Sequence, residues 1–257
     1  MLYVHRGKLG DCIYSMYAVM KSGGGDYYLL TNKQEQQWRM ISLEALRPLL
    51  LYQDYIGDVE YGINFNSSGD HHLFYDFTGH QTGNRGSNHL VYAHIVTLFH
   101  GDQKLIQDPP IHYDYDESWL KAPKTKDVDV IAHIQPYRGE KRRYDRWFKI
   151  LDGLNYKLFC EIHIKNQSHF NELIDSGFPI NRIYQPTSFL EGADYINSGK
   201  VFVGNVSCWN AVADGLKSKR LVDVGNGAHN ANPRDNTGTE IQDISDEEVR
   251  QLIEELL

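Results

Sequence analysis

Residues 2–31, LYVHRGKLGDCIYSMYAVMKSGGGDYYLLT, switch element type three times in one short span. LYVHR reads as a strand and GKLGD as a turn. CIYSMYAVMKS reads as a helix with apolar residues at positions 13, 16, 17 and 20, and DYYLLT, after a run of glycines, as a second strand. Strand, helix and strand in that order demand parallel pairing through a right-handed crossover, which predicts a doubly wound α/β sheet.

The alternation continues outward from this unit. ISLEALRPLLLYQ reads as a helix interrupted at Pro48, Val59–Ile63 and His72–Phe77 as short strands, and NHLVYAHIVTLFHG as an amphipathic helix, which closes a first lobe over residues 1–107. Residues 108–126, DPPIHYDYDESWLKAPKTK, hold three of the eight prolines and many charges with no period of 2 or 3.6, and are read as a linker. Over residues 127–257 the strands VDVIAHI, YKLFCEIHI, NRIYQP, KVFVGN and RLVDVG alternate with helical segments and predict a second lobe. The expected architecture is two Rossmann-like α/β lobes facing a cleft, with a capped acidic helix over 245–257 placed to pack back across the first lobe.

The formal net charge of -8 argues against general coating of nucleic acid, so a polyanion would have to be met by a local basic groove. Three distant cysteines, Cys12, Cys160 and Cys208, form no C-x-x-C pair and point to a reducing, cytoplasmic compartment. Arg6, Lys8 and Asp11 interrupt what would be the apolar core of a signal peptide, and no apolar run is long enough to span a membrane.

The most informative motif is His5-Arg6-Gly7-Lys8-Leu9-Gly10-Asp11 at the carboxyl end of the first strand, the edge at which open parallel sheets bind ligands. It is neither a P-loop nor a dinucleotide fingerprint. Asp11 reads either as a cap for the following helix or as a general base facing the cleft. HRGKLGDCIYSMYAV resembles the opening strand, G-D turn and helix of the heptosyltransferase-like glycosyltransferases, and KVFVGNVSCWNAVADGLKSKRLVDVG is similar to their V-G-N-D-S-G-x-x-H-L-A-A-A-L-G-K-P block. A looser third match is AHIQPYRGEKRRYDRW.

The resemblance implies the two-lobed GT-B fold and transfer of a sugar from a nucleotide-diphosphate donor to an acceptor hydroxyl, inverting and metal-independent, with no cofactor beyond the donor co-substrate. It implies Asp11 as catalytic base. It implies a cation on the donor phosphates, with Lys141 or Arg142 as the equivalent beside Arg138, and a donor site at the Gly204 block, where Asn205, Ser207 or Asn210 is left to supply the polar contact. Trp209 is read as a stacking surface for the base or sugar, Gly10 is placed with the donor, and Lys8, Asp76 and His80 with the acceptor. The run from Arg138 to Lys149 carries six cations against Glu140 and Asp145, suited to a departing diphosphate. The sequence departs from the family block: Val206-Ser207-Cys208 stands where D-S-G is usual, and Ala211 where histidine is usual. Donor identity therefore does not transfer.

Alternatives stand beside this reading. A phage-type enzyme glycosylating hydroxymethylated DNA bases would use the cluster around Arg142, and a non-catalytic nucleotide-sugar binding module would follow from the altered donor block. Asp114-Tyr115-Asp116 and Asp127-Val128-Asp129 invite a metal-dependent assignment, but both lie in or beside the linker, away from the expected cleft. Metal ligation is not expected, and the acceptor is read as a glycan or other hydroxyl compound.

Overall fold

The computed structural model describes residues 1–5, 8–30, 36–63, 65, 70–74, 90–100, 114–134, 143–160, 167–224, 231, 233–242 and 244–257. In the amino-terminal part, β1 (Leu2–His5), β2 (Gly25–Leu30), β3 (Ile56–Gly62) and β4 (His71–Phe74) form a sheet in the order β3-β2-β1-β4. Every pairing in it is parallel. Parallel neighbours need crossovers: α1 (Leu9–Lys21) joins β1 to β2 and α2 (Gln36–Leu51) joins β2 to β3, while α3 (Leu90–His100) follows β4. The turn between α1 and β2 uses Gly23 at φ 93° and Gly24 at φ 79°. A side chain at Gly24 would meet the Tyr55 carbonyl oxygen at 2.1 Å, so this turn requires glycine both for conformation and for space.

The second sheet has the order β10-β9-β8-β5-β6-β7 and is also parallel throughout. Its strands are β5 (Val130–His133), β6 (Tyr156–Phe159), β7 (Ile183–Tyr184), β8 (Val201–Asn205), β9 (Arg220–Asp223) and β10 (Gly238–Glu240). Its helices are α4 (Arg143–Leu151), α5 (Gln167–Asp175), α6 (Phe189–Ser198), α7 (Cys208–Gly215) and α8 (Asp246–Leu256). The period of two in β5 sends Val130 and Ala132 into a core shared with α4 and α8, and Ile131 into a core on the opposite face. That opposite core is continuous with the interior of the first lobe, joining Tyr3, Met16 and Leu46 to Trp119, Phe202 and Trp209.

Three expectations are corrected here. α2 runs through Pro48 without a break; the proline is exposed and sits in the last turn, and its missing N–H removes one bond, that to the carbonyl of exposed Glu44. α8 packs on α4 and not across the first lobe, because its apolar stripe, Val249 and Ile253, enters the outer core of the second sheet. Arg146 Nε reaches Asp246 at 2.6 Å and Arg250 donates to the Ile150 carbonyl, fixing that docking. β10 adds a sixth strand to the five expected.

Residues 114–126 form an ordered strap across both lobes. Trp119 is 1% exposed and donates from Nε1 to the Ile13 carbonyl of α1, while the backbone N–H groups of Trp119 and Leu120 both donate to Gly215 O at the end of α7. A Cβ on Gly215 would lie 2.6 Å from Leu120 Cδ1, so the strap's close approach requires the glycine. Gln53 exchanges two hydrogen bonds with the backbone of Lys121, and Tyr55 Oη donates to Trp119 O.

Candidate functional site

β1 delivers His5 to the carboxyl edge of the first sheet, and α1 begins four residues later. The N-cap position belongs to Lys8, whose side chain is exposed and makes no cap hydrogen bond. Asp11 therefore lies inside the first turn, next to the positive end of the helix, and its side chain is buried. Behind it, Cys12 Sγ sits 3.3 Å from His5 Nδ1.

The facing edge of the second sheet ends in a row of polar residues. β5, β8 and β9 close on His133, Asn205 and Asp223, all buried, with His133 in register with Gly204 and Asn205 with Asp223. Ser207 then caps α7, its Oγ accepting from the Asn210 N–H at 3.3 Å. At Gly204 a Cβ would fall 2.3 Å from the His133 carbonyl oxygen, so this glycine is required by strand packing.

The two edges meet where α1 and α7 begin. A Cβ on Gly10 would be 3.8 Å from the Cα of Cys208, an ordinary contact, so the helix starts adjoin without demanding glycine there. One turn further in, Asn210 Nδ2 donates to Tyr14 Oη at 3.3 Å. Burial, reinforced by the charge of Asp214, holds the Tyr14 phenol protonated. Below α7, Arg220 bridges Asp214 and Asp235 at 2.9 and 3.0 Å, and Lys217 bridges the same two carboxylates at 2.9 Å each. Burial raises the Asp235 carboxyl, but Arg220 and Lys217 override it and hold the group down at about 2.

One expected donor contact is overturned. Trp209 is packed inside the core against Phe189 and Phe159, and a Cβ on Gly192 would collide with its ring at 2.2 Å, so the indole presents no face to a ligand. Asn210 is buried and spends its amide N–H on Tyr14, leaving Oδ1 without a hydrogen-bond partner among the described residues. Arg138, Lys141, Arg142, Asp76 and His80 lie outside the described residues. Three carboxylates of the two D-x-D pairs have structural partners: Asp114 accepts from the Asp116 N–H, Asp116 accepts from Asn236, and Asp129 pairs with Lys200. Among the described residues no group of three or more His, Cys, Asp or Glu side chains is placed to hold a metal.

Sequence reading missed His133, Asp223 and Tyr14. The first two had a signal: each is the polar last residue of an otherwise apolar strand, VIAH and RLVD with its buried Arg220, at the edge that binds ligands. An open cavity lined by Lys124, Lys200, Lys217 and Lys219 lies at the other end of the second sheet, where α6, α7 and α8 finish. Lysines there complement helix carboxyl termini, and the cavity is remote from the polar edge.

No family model and no curated protein matches the sequence. The fold is the GT-B architecture of two parallel-sheet lobes face to face. It is similar to E. coli heptosyltransferase WaaC with ADP-2-deoxy-2-fluoro heptose, at TM-score 0.58 and 9% identity over 100% of both chains. A family 9 glycosyl transferase from Veillonella parvula aligns at TM-score 0.62 and 11% identity, over 99% of this chain and 96% of the other. E. coli ADP-heptose lps heptosyltransferase II aligns at TM-score 0.60 and 11% identity, over 100% and 98%.

Proposed function

We propose that the protein is a glycosyltransferase that moves a sugar from a nucleotide-diphosphate donor to an acceptor hydroxyl, with inversion and without a metal. The observation that carries this reading is the meeting of two helix starts from opposite sheets, one bearing Asp11 in its first turn and the other capped by Ser207. Asp11 takes the acceptor hydroxyl proton as that oxygen bonds to the anomeric carbon. The bond from that carbon to the diphosphate oxygen breaks, and its electron pair leaves with the nucleotide. The positive end of α7 suits the charge on the departing group. Arg138, Lys141 and Arg142 are assigned to the same anion, and Lys8, Asp76 and His80 to the acceptor. The fold likeness to heptosyltransferases supports this reading, and the ADP-sugar in one of them supports a nucleotide-sugar partner.

A thermal-shift screen of nucleoside diphosphates and their sugars identifies the donor, because a ligand that binds only the folded state raises its stability. With that donor, Asp11→Asn is expected to lower turnover by roughly a hundredfold or more. Unchanged turnover removes Asp11 from the chemistry, and donor binding with no product from any acceptor identifies a binding module instead. Duplex binding that falls steeply with salt would direct the acceptor search to modified DNA.

A further inference from the structure

We propose that His133 is a ligand of the donor's diphosphate, giving a ring N–H to the phosphate oxygens of the leaving nucleotide. The inference rests on the donor-binding reading above and adds a residue to it. His133 ends the central strand β5, in register with Gly204 and one position short of the Asn205 turn that leads into α7. Its ring is 1% exposed, and neither Nδ1 nor Nε2 has a hydrogen-bond partner among the described residues. The neighbouring His169 shows the contrast: its Nε2 is satisfied by the Ile134 carbonyl at 2.9 Å, and its ring meets that of His133 edge-on with centroids 6.0 Å apart.

An imidazole closed to water with no partner among the described residues is costly to keep, since burial removes its bonds to water and those residues return none. A phenylalanine or leucine would fill the same space without that cost. The position supplies a reason for the polar ring, because phosphates bound at the carboxyl edge of a parallel sheet sit beside the strand ends and the following helix start. Burial, helped by His169, depresses the imidazole to about 3, so at neutral pH the ring carries one N–H and one lone pair. A neutral donor of this kind stabilises growing charge on the diphosphate without itself needing a counter-ion.

The test compares binding of ADP, GDP, UDP, CDP and dTDP with that of their parent nucleosides in the whole protein, for wild type, His133→Phe and His133→Gln. His133→Phe is expected to weaken the preferred diphosphate by roughly tenfold to a hundredfold, as for a lost hydrogen bond to a charged group. Nucleoside affinity should stay within about twofold, and His133→Gln, which keeps an N–H, should retain most of the diphosphate affinity. If the phenylalanine variant does not fold, His133→Leu takes its place. Unchanged diphosphate affinity, or an equal loss for nucleoside and diphosphate, overturns the inference while leaving the donor reading standing. Absence of diphosphate binding in wild type overturns both.

Discussion

Tyr14 of α1 and Asn210 of α7 join the two lobes through a hydrogen bond of 3.3 Å between side chains that are both buried. Each lies one turn beyond a residue assigned to chemistry, Tyr14 after Asp11 and Asn210 after Ser207. The bond therefore sets the spacing of the two helix starts. Tyr14→Phe should destabilise the protein by about 1–2 kcal/mol, because it leaves the Asn210 amide unmatched in a dry site. In a double-mutant cycle, Asn210→Leu should cost less in the Tyr14→Phe background than in wild type, and strict additivity would show that the two side chains do not interact.

The strap gives a larger effect. Trp119 touches Tyr14 and Tyr17, bonds to Ile13 O and lies under the Lys217 ammonium, 4.6 Å from its ring centre. Trp119→Ala is expected to lower unfolding free energy by about 3–5 kcal/mol. Chemical denaturation reads the change directly, and a loss below about 1 kcal/mol would mean that the strap does not hold the lobes.

Removing one carboxylate from the cluster below α7 should be almost as damaging. Asp235→Asn leaves Arg220 and Lys217 sharing Asp214 alone in a buried setting, and a cost of about 3 kcal/mol follows. The same cluster sets a low-pH limit. The Asp235 carboxyl is held at about 2, below its unfolded value, so its contribution is present above that unfolded value and is lost as pH falls toward 2.

Histidines act at milder pH. Burial depresses His72 to about 4 and His133 to about 3, whereas the unfolded chain takes up these protons near ~6.5. Stability is therefore complete above ~6.5 and declines as pH drops through that value, with the unfolded state binding the extra protons. Between pH ~6.5 and ~5 His133 alone accounts for about 2 kcal/mol, and the more exposed His72 for less. Urea midpoints measured across this range should fall, and His133→Phe should flatten the slope; an equal slope in the variant would show that His133 titrates normally in the folded protein.

The alternation of strand and helix in LYVHRGKLGDCIYSMYAVMKSGGGDYYLL was legible because every local preference agrees with the sheet it enters. β10 was not, since GTE at the sheet edge is short, mostly exposed and without apolar alternation. Trp209 read as a ligand platform because a tryptophan at a helix start has no periodicity to say which way it faces; only Gly192, which leaves room for it, identifies it as core. Placing α8 failed for a related reason. Its capping box, Ser245 with Glu248, announces the helix, but an amphipathic stripe does not name the surface it covers. At the candidate site, Asp11 was singled out by its place just after the first strand and by the likeness of that turn to the G-D turn of the family. His133 and Asp223 are single polar residues whose meaning comes from neighbours on β8, distant in sequence.

The interior that runs unbroken from Tyr3 to Trp209 has a thermodynamic consequence. Two-lobed proteins with a wet cleft commonly melt in stages, each half keeping its own cohesion. Here the inner core of the second sheet is shared with the first lobe through α7 and α6, which pack on α1 and α2, so heating should produce one calorimetric peak, and nucleotide bound by the carboxyl half should raise the melting of the amino half by the same amount.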